Sequence, residues 1–186
     1  TSDPSAFILE SIGRCHEKLG NNQLAQKFYL KSVHIEPANE NSWQSLINFH
    51  IEAENFKKAK HYLEIALEAN NDSFLLWKQS AFVNQSLKLN NEALTAYQKV
   101  IDFGFFELTL LINYIDLNIH LKLWKQAFDI IQIAFKGYPE SEELKLRNMG
   151  CKLLLQNGIK EKVNIIDYNL NKKDQAIFFK LFSTLK

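Results

Sequence analysis

The chain has 186 residues, 46% of them apolar, enough to bury a sizeable core and too many for a disordered tail. Its 22 Lys and Arg nearly balance 21 Asp and Glu, so no global field draws nucleic acid or an anionic membrane surface. No run of about 18 uncharged apolar residues is present, and the N-terminal TSDPSAF lacks the basic-then-apolar pattern of a signal peptide. These readings exclude nucleic acid and membrane as partners. The two cysteines, Cys15 and Cys151, are far apart and unpatterned, which reads as reduced thiols in the cytoplasm. The sequence does not begin with Met and is read as a fragment of a longer chain, with further repeats expected upstream because Asp3-Pro4 sits where a preceding unit would close.

Only three prolines interrupt the chain, Pro4, Pro37 and Pro139, and the segments between them carry apolar residues at intervals of three and four with no strand-like alternation. Helices are therefore predicted throughout. In the first unit, residues 6–39, Leu9 and Gly13 mark a first helix, and Ala25, Tyr29 and Ser32 a second. The second unit, 40–73, repeats the frame with Trp43, Ala59, Leu63 and Ala66. The third, 74–107, has Trp77, Ala93, Tyr97 and Val100, and the fourth, 108–141, has Leu111, Ala127, Ile131 and Ala134. The four alanines stand 34 residues apart, and polar segments such as Gly20-Asn21-Asn22, Glu54-Asn55 and Asn90-Asn91 fall between the helices of a unit. LWKQSAF at 76–82 and LWKQAF at 123–128 are not equivalents. They stand 47 residues apart, and aligning them lays a first helix on a second. Beyond residue 141 the frame loosens, with Glu161 where the alanine belongs. The closing DQAIFFKLFSTLK sets Ile177, Phe178, Leu181, Phe182 and Leu185 on one helix face.

This pattern resembles the tetratricopeptide repeat family, whose 34-residue unit places Trp, Gly, Tyr, Ala and Pro at these intervals. The resemblance implies an all-α, right-handed α-solenoid of stacked antiparallel helix pairs. It is read as one domain over residues 1–186, with a divergent repeat at 142–171 and a C-terminal capping helix at 174–185. The small alanines let the two helices of a unit cross closely, and the tryptophans fill the space between units. The family's small residue in the first helix is Gly13 here, but Ile47, Ala81 and Ile115 in the later units. Isoleucine at that place is expected to push the pair apart or to shift its crossing. His16, His50, Asn84 and Asn118 recur at one place in the frame and read as a polar ladder between helices, since they lack the spacing and company of a metal site.

No phosphate loop, H-E-x-x-H, C-x-x-C or nucleophile elbow occurs, so neither enzyme activity nor a cofactor or metal is predicted. Cys15 and His16 point about 100° apart on a helix, and Cys15 reads as a buried or partly buried thiol. What remains is a surface. First helices line the concave face of a solenoid, and by resemblance Phe7, Glu10, Arg14 and Glu17, then Gln44, Asn48 and Ile51, then Lys78, Phe82 and Gln85, then Ile112, Asp116 and Ile119 face that groove. Amides such as Gln44 and Asn48 suit a peptide backbone, and Phe82 and Ile112 suit apolar anchors. One subclass of the family clamps a C-terminal carboxylate with five residues. Lys78, Asn113 and Arg147 match that pattern, whereas Phe82 and Glu143 depart from it, and the glutamate argues against the clamp by repulsion. The sequence thus points to a non-catalytic interaction scaffold for a peptide or protein partner. Its groove candidates are Arg14, Gln44, Asn48, Lys78, Phe82, Ile112, Asn113 and Asp116. The alternative is a regulatory or substrate-recruiting arm of an enzyme whose catalytic domain lies elsewhere. The oligomeric state is read as a monomer, or a weak homodimer through the terminal helices.

Overall fold

The computed structural model describes residues 4–157 and 170–182. Glu161 and Leu185 lie outside the described residues. The rest form ten helices and no strand: α1 (Ala6–Lys18), α2 (Asn22–Ile35), α3 (Glu40–Glu52), α4 (Phe56–Ala69), α5 (Phe74–Ser86), α6 (Asn90–Asp102), α7 (Leu108–His120), α8 (Trp124–Gly137), α9 (Glu142–Asn157) and α10 (Lys172–Leu181). The fold is an all-α helical repeat. Two compact units divide at Phe103 and Gly104. The N-terminal unit holds the hairpins α1/α2, α3/α4 and α5/α6. In the C-terminal unit α8 packs on α7 and α9, and α10 packs on α9 and α7.

Helix ends are set by two local devices that recur every 34 residues. The first is an N-cap: the side chains of Ser5, Asn39, Ser73 and Ser141 accept from the amides of Ile8, Ser42, Leu76 and Leu144. Glu107, in the same place before α7, makes no such bond. The second is a left-handed turn at Gly20, Glu54, Lys88 and Lys122, whose φ angles are 75°, 53°, 60° and 61°. At Gly20 the Gly20 amide donates to Glu17 O and the Asn21 amide to His16 O, so the last carbonyls of α1 are paired before the chain reverses. The same two bonds recur after α3, α5 and α7. Only the first turn uses glycine, and the other three accept a left-handed side-chain residue at about 1 kcal/mol each. The turn between α5 and α6 lies at Leu87–Leu89, so Asn90 and Asn91 belong to the first turn of α6 and not to the connection.

Ala25, Ala59, Ala93 and Ala127 are all fully buried at the helix crossings, as the frame requires. Trp43 and Trp77 also tie down the preceding connection, their indole Nε1 groups donating to the carbonyls of Pro37 and Asn71 at 2.7 Å.

Where the family's small residue varies, its neighbours vary with it. In α1, Gly13 leaves room for the Tyr29 ring, and a Cβ there would stand 2.8 Å from ring carbons. The Tyr29 hydroxyl then reaches Glu17 Oε2 at 2.5 Å. Helices α5 and α6 repeat this with Ala81, Tyr97 and Gln85, the hydroxyl donating to Gln85 Oε1 at 2.5 Å. In α3/α4 the three places are Ile47, Leu63 and Ile51, and in α7/α8 they are Ile115, Ile131 and Ile119. Helices α1 and α2, like α5 and α6, pack more closely than α3 and α4 or α7 and α8. Isoleucine does spread the pair, and the core stays filled because the facing residue changes from tyrosine to an aliphatic side chain.

The polar ladder changes in the same stepwise manner. His16 stacks on Phe28 with centroids 5.5 Å apart, and the buried His50 stacks on Tyr62 at 5.2 Å. The later places hold Asn84 and Asn118, whose side-chain nitrogens donate to Ser80 Oγ and Tyr114 O. In the C-terminal unit Phe178 and Phe182 of the last helical segment are buried, with Phe182 over Gly150 and against Trp124. Cys15, expected to be at least partly buried, is exposed, because its direction on α1 is away from the α2 contact; Cys151 is the buried thiol.

Candidate functional site

The groove candidates belong to first helices, and several of their side chains are engaged with neighbouring residues. In the N-terminal unit, Arg14 is exposed and its Nε lies 3.6 Å from Glu10 Oε1, which also accepts from Ser45 Oγ at 2.8 Å. Glu10, expected in the groove, is therefore buried between α1 and α3. Gln44 is half-buried and donates to Glu40 one turn back. Asn48 is exposed on α3, and its Oδ1 accepts from Gln79 Nε2 of α5 at 2.7 Å. Lys78, which precedes Gln79 on α5, is exposed. Phe82 is 48% exposed and meets Phe56 edge-on at 6.0 Å.

In the C-terminal unit Asn113 is exposed, Ile112 is half-buried and Asp116 is bound by Arg147. That pair is bidentate: Arg147 Nε and Nη2 donate to the two Asp116 oxygens at 2.6 and 2.7 Å, and Nη1 donates to Glu143 O. Arg147 is only 7% exposed. The guanidinium that matched the carboxylate clamp is thus spent within the protein, a second obstacle besides Glu143. Ile119, also expected in the groove, is buried, and Glu17 and Gln85 turn to the tyrosines of their second helices.

One register governs this lacing. Ser45, Gln79 and Arg147 occupy the sixth place of their helices and bind Glu10, Asn48 and Asp116 on the preceding first helix. Sequence reasoning missed Gln79. A signal for it existed, since that place holds Ser11, Ser45, Gln79, Asn113 and Arg147, polar in every helix. Gln79 Oε1 is buried and has no hydrogen-bond partner among the described residues. The exposed Asn48 thus keeps a donor at Nδ2, and Gln79, which holds it, lies one turn from the exposed ring of Phe82.

Nothing in the titration behaviour points to acid–base chemistry. Burial, then the nearby Lys58 charge, lowers His50 to about 4. Burial raises Tyr97 and Cys151 to about 12, and burial followed by the bond to Glu17 raises Tyr29 further still. Among the described residues no group of three His, Cys, Asp or Glu side chains is placed to hold a metal ion. No helix among them is long and apolar enough to cross a membrane.

Residues 8–39 match the family model described as tetratricopeptide repeat. No curated protein matches the chain by sequence. Several solved structures share its fold. A tetratricopeptide repeat protein from Parabacteroides merdae superposes with a TM-score of 0.70 at 13% identity, covering 96% of this chain and 74% of that one. YrrB, described as a TPR protein with an unusual peptide-binding site, gives 0.69 at 14% identity over 96% of this chain and 87% of its own. The first TPR of Spaghetti (RPAP3), bound to the HSP90 peptide SRMEEVD, gives 0.57 at 17% identity over 63% of this chain and 94% of its own.

Proposed function

We propose that this chain, which has the tetratricopeptide repeat fold and carries the family's sequence pattern in its first helix pair, is a non-catalytic scaffold. It docks a peptide or protein partner on the first helices of its N-terminal unit. The observation that carries this reading is the Asn48–Gln79 amide pair bridging α3 and α5. An extended peptide presents N–H and C=O groups, and the exposed Asn48, held in place by Gln79, keeps its Nδ2 donor for a peptide carbonyl. Phe82, with Phe56 behind it, supplies an apolar anchor, and Lys78 adds a positive charge at the rim. Arg14 and Gln44 extend the face within the N-terminal unit, and Ile112 and Asn113 lie on the first helix α7 of the C-terminal unit. Asp116, in the same unit, holds Arg147 in place. The partner is a protein segment and not nucleic acid, because the balanced charge leaves no basic stripe. The apolar side of α10 is spent on α9 and Trp124, which supports a monomer, and the two widely spaced, unpatterned cysteines support a cytoplasmic setting.

Panning a display library of unstructured peptides against the chain tests this directly. Selected peptides are expected to lose at least about tenfold in affinity on Gln79→Ala or Phe82→Ala, equivalent to roughly 1.4 kcal/mol. Recovery of no binder, or binders indifferent to both changes, would refute the proposal.

A further inference from the structure

Within the N-terminal unit each later first helix rests on the second helix before it, α3 on α2 and α5 on α4. The pair α1/α2 packs on α3 and leaves its opposite side without a helix of this unit. That edge holds a groove of about 1080 Å³, which runs along α2 from Gln23 to Ile35 and ends at Pro4, Ser5 and Leu9. Its length is about 18 Å, three turns of a helix. The groove's exposed lining is mainly apolar. Ile35 is 46% exposed, and Leu30 is half-buried where the later second helices hold Glu64, Gln98 and Gln132. Lys27, Lys31 and His34 form the rim, all exposed and spaced four and three residues apart along one stripe of α2. None of the described lining residues is acidic, and Glu36, next along the chain, is engaged with Asn39.

We infer that this edge docks an amphipathic helix of a partner protein, whose apolar stripe is flanked by Asp or Glu. A helix is the element that covers the same side of the next pair, where α2 lies on α3. Leu9 holds in the frame the place of Trp43, which shares a core with Tyr29 and Val33 of α2. In the docked helix, apolar residues at intervals of three and four meet Leu30, Ile35 and Pro4. Carboxylates four residues apart meet Lys27 and Lys31, which have the same spacing. An apolar floor with a charged rim is the make-up of a separable interface. The permanent contact of α2 with α3 differs from it, since Tyr29, Val33 and Trp43 are all buried. Joining two such edges from two copies of the chain would set Lys27 and Lys31 against like charges, so the complementary partner is acidic and not a second copy.

The test uses the whole chain, labelled with ¹⁵N, and acetylated, amidated helical peptides of five turns. One carries a leucine stripe flanked by glutamates, a second has lysines in place of the glutamates, and a third scrambles the first so that charge is kept and the stripe is lost. The glutamate peptide is expected to shift the backbone amides of Leu30, Lys31 and Ile35 saturably, and the other two should bind at least tenfold more weakly. Lys27→Glu with Lys31→Glu changes only exposed side chains and should invert the preference between the glutamate and lysine peptides. Leu30→Gln, the residue type of α6 and α8 at that place, should weaken the glutamate peptide at least fivefold. Phe82→Ala should leave this binding unchanged, which separates the edge from the first-helix face. Absence of shifts along α2, equal affinity for the glutamate peptide and either control, or no inversion by the paired lysine change overturns the inference. So does self-association of the chain that Leu30→Gln abolishes, which would assign the edge to a second copy.

Discussion

Helix pairs α1/α2 and α3/α4 share a frame, a fold and a place in the same compact unit, yet their crossings are built from opposite materials. The first combines no side chain at Gly13, a large ring at Tyr29 and a carboxylate at Glu17 that accepts from its hydroxyl. The second is wholly aliphatic, with Ile47, Leu63 and Ile51 at the matching places. The first pair packs more closely. What the repeat preserves is the filled volume at the crossing, not the residue at any one place, since close packing leaves no room for one member to change alone.

The sharpest way to break the comparison is to move one member alone. Gly13→Ile drives a branched side chain into the Tyr29 ring and is expected to cost about 3 kcal/mol, read from the urea midpoint. Transplanting the whole set, Gly13→Ile with Tyr29→Leu and Glu17→Ile, should recover most of that loss. A triple variant as unstable as the single one would show that the three places are not coupled.

The stacked histidines give the next contrast. His50 is 2% exposed and held neutral down to about pH 4, whereas the unfolded chain protonates it near 6.5. Its folded value is depressed, so its contribution is complete above pH 6.5 and is lost as pH falls towards 4. That loss should reach about 2 kcal/mol, and His50→Asn, the residue type of the later pairs, should flatten the stability profile in that window. An unchanged profile would mean that His50 is not the group responsible.

Tyr29→Phe keeps the ring over Gly13 and removes only the hydroxyl bond to Glu17. About 1 kcal/mol is expected from thermal melts, with no corresponding loss for aliphatic changes confined to the Leu63 place that preserve volume. The smallest effect belongs to the turns. Glu54→Gly gives α3/α4 the turn residue that α1/α2 already has and should gain about 0.5 kcal/mol, while Gly20→Ala should lose about 1 kcal/mol. A loss on Glu54→Gly would place the energetic weight on the side chain and not on the backbone.

The period was legible because burial at a crossing selects small residues, and Ala25, Ala59, Ala93 and Ala127 report it without reference to any neighbour. The N-caps Ser5, Asn39, Ser73 and Ser141 were not singled out, because a single polar residue before a helix is too common to announce itself. The turn after α5 was misplaced onto Asn90 and Asn91 because Lys88 adopts the left-handed conformation that composition assigns to glycine or asparagine. Of the groove candidates, Asn48 and Phe82 do present themselves together with Gln79, whereas Asp116 is tied to Arg147. Periodicity gives a residue's direction on its own helix. It is silent on what stands 31 residues away on the next one.

Helical class, the 34-residue frame and the residues that sit at the crossings were fixed by the sequence itself, since they follow from the spacing of apolar and small side chains along a helix of known pitch. Tertiary structure alone decided which polar groups consume one another and which stay unpaired. Glu10 disappears between α1 and α3, Arg147 is spent on Asp116, and Gln79 Oε1 and Asn84 Oδ1 remain unpartnered among the described residues. The reason is that a hydrogen bond depends on distances of a few tenths of an ångström between separate helices, and those distances are set by how closely each pair packs.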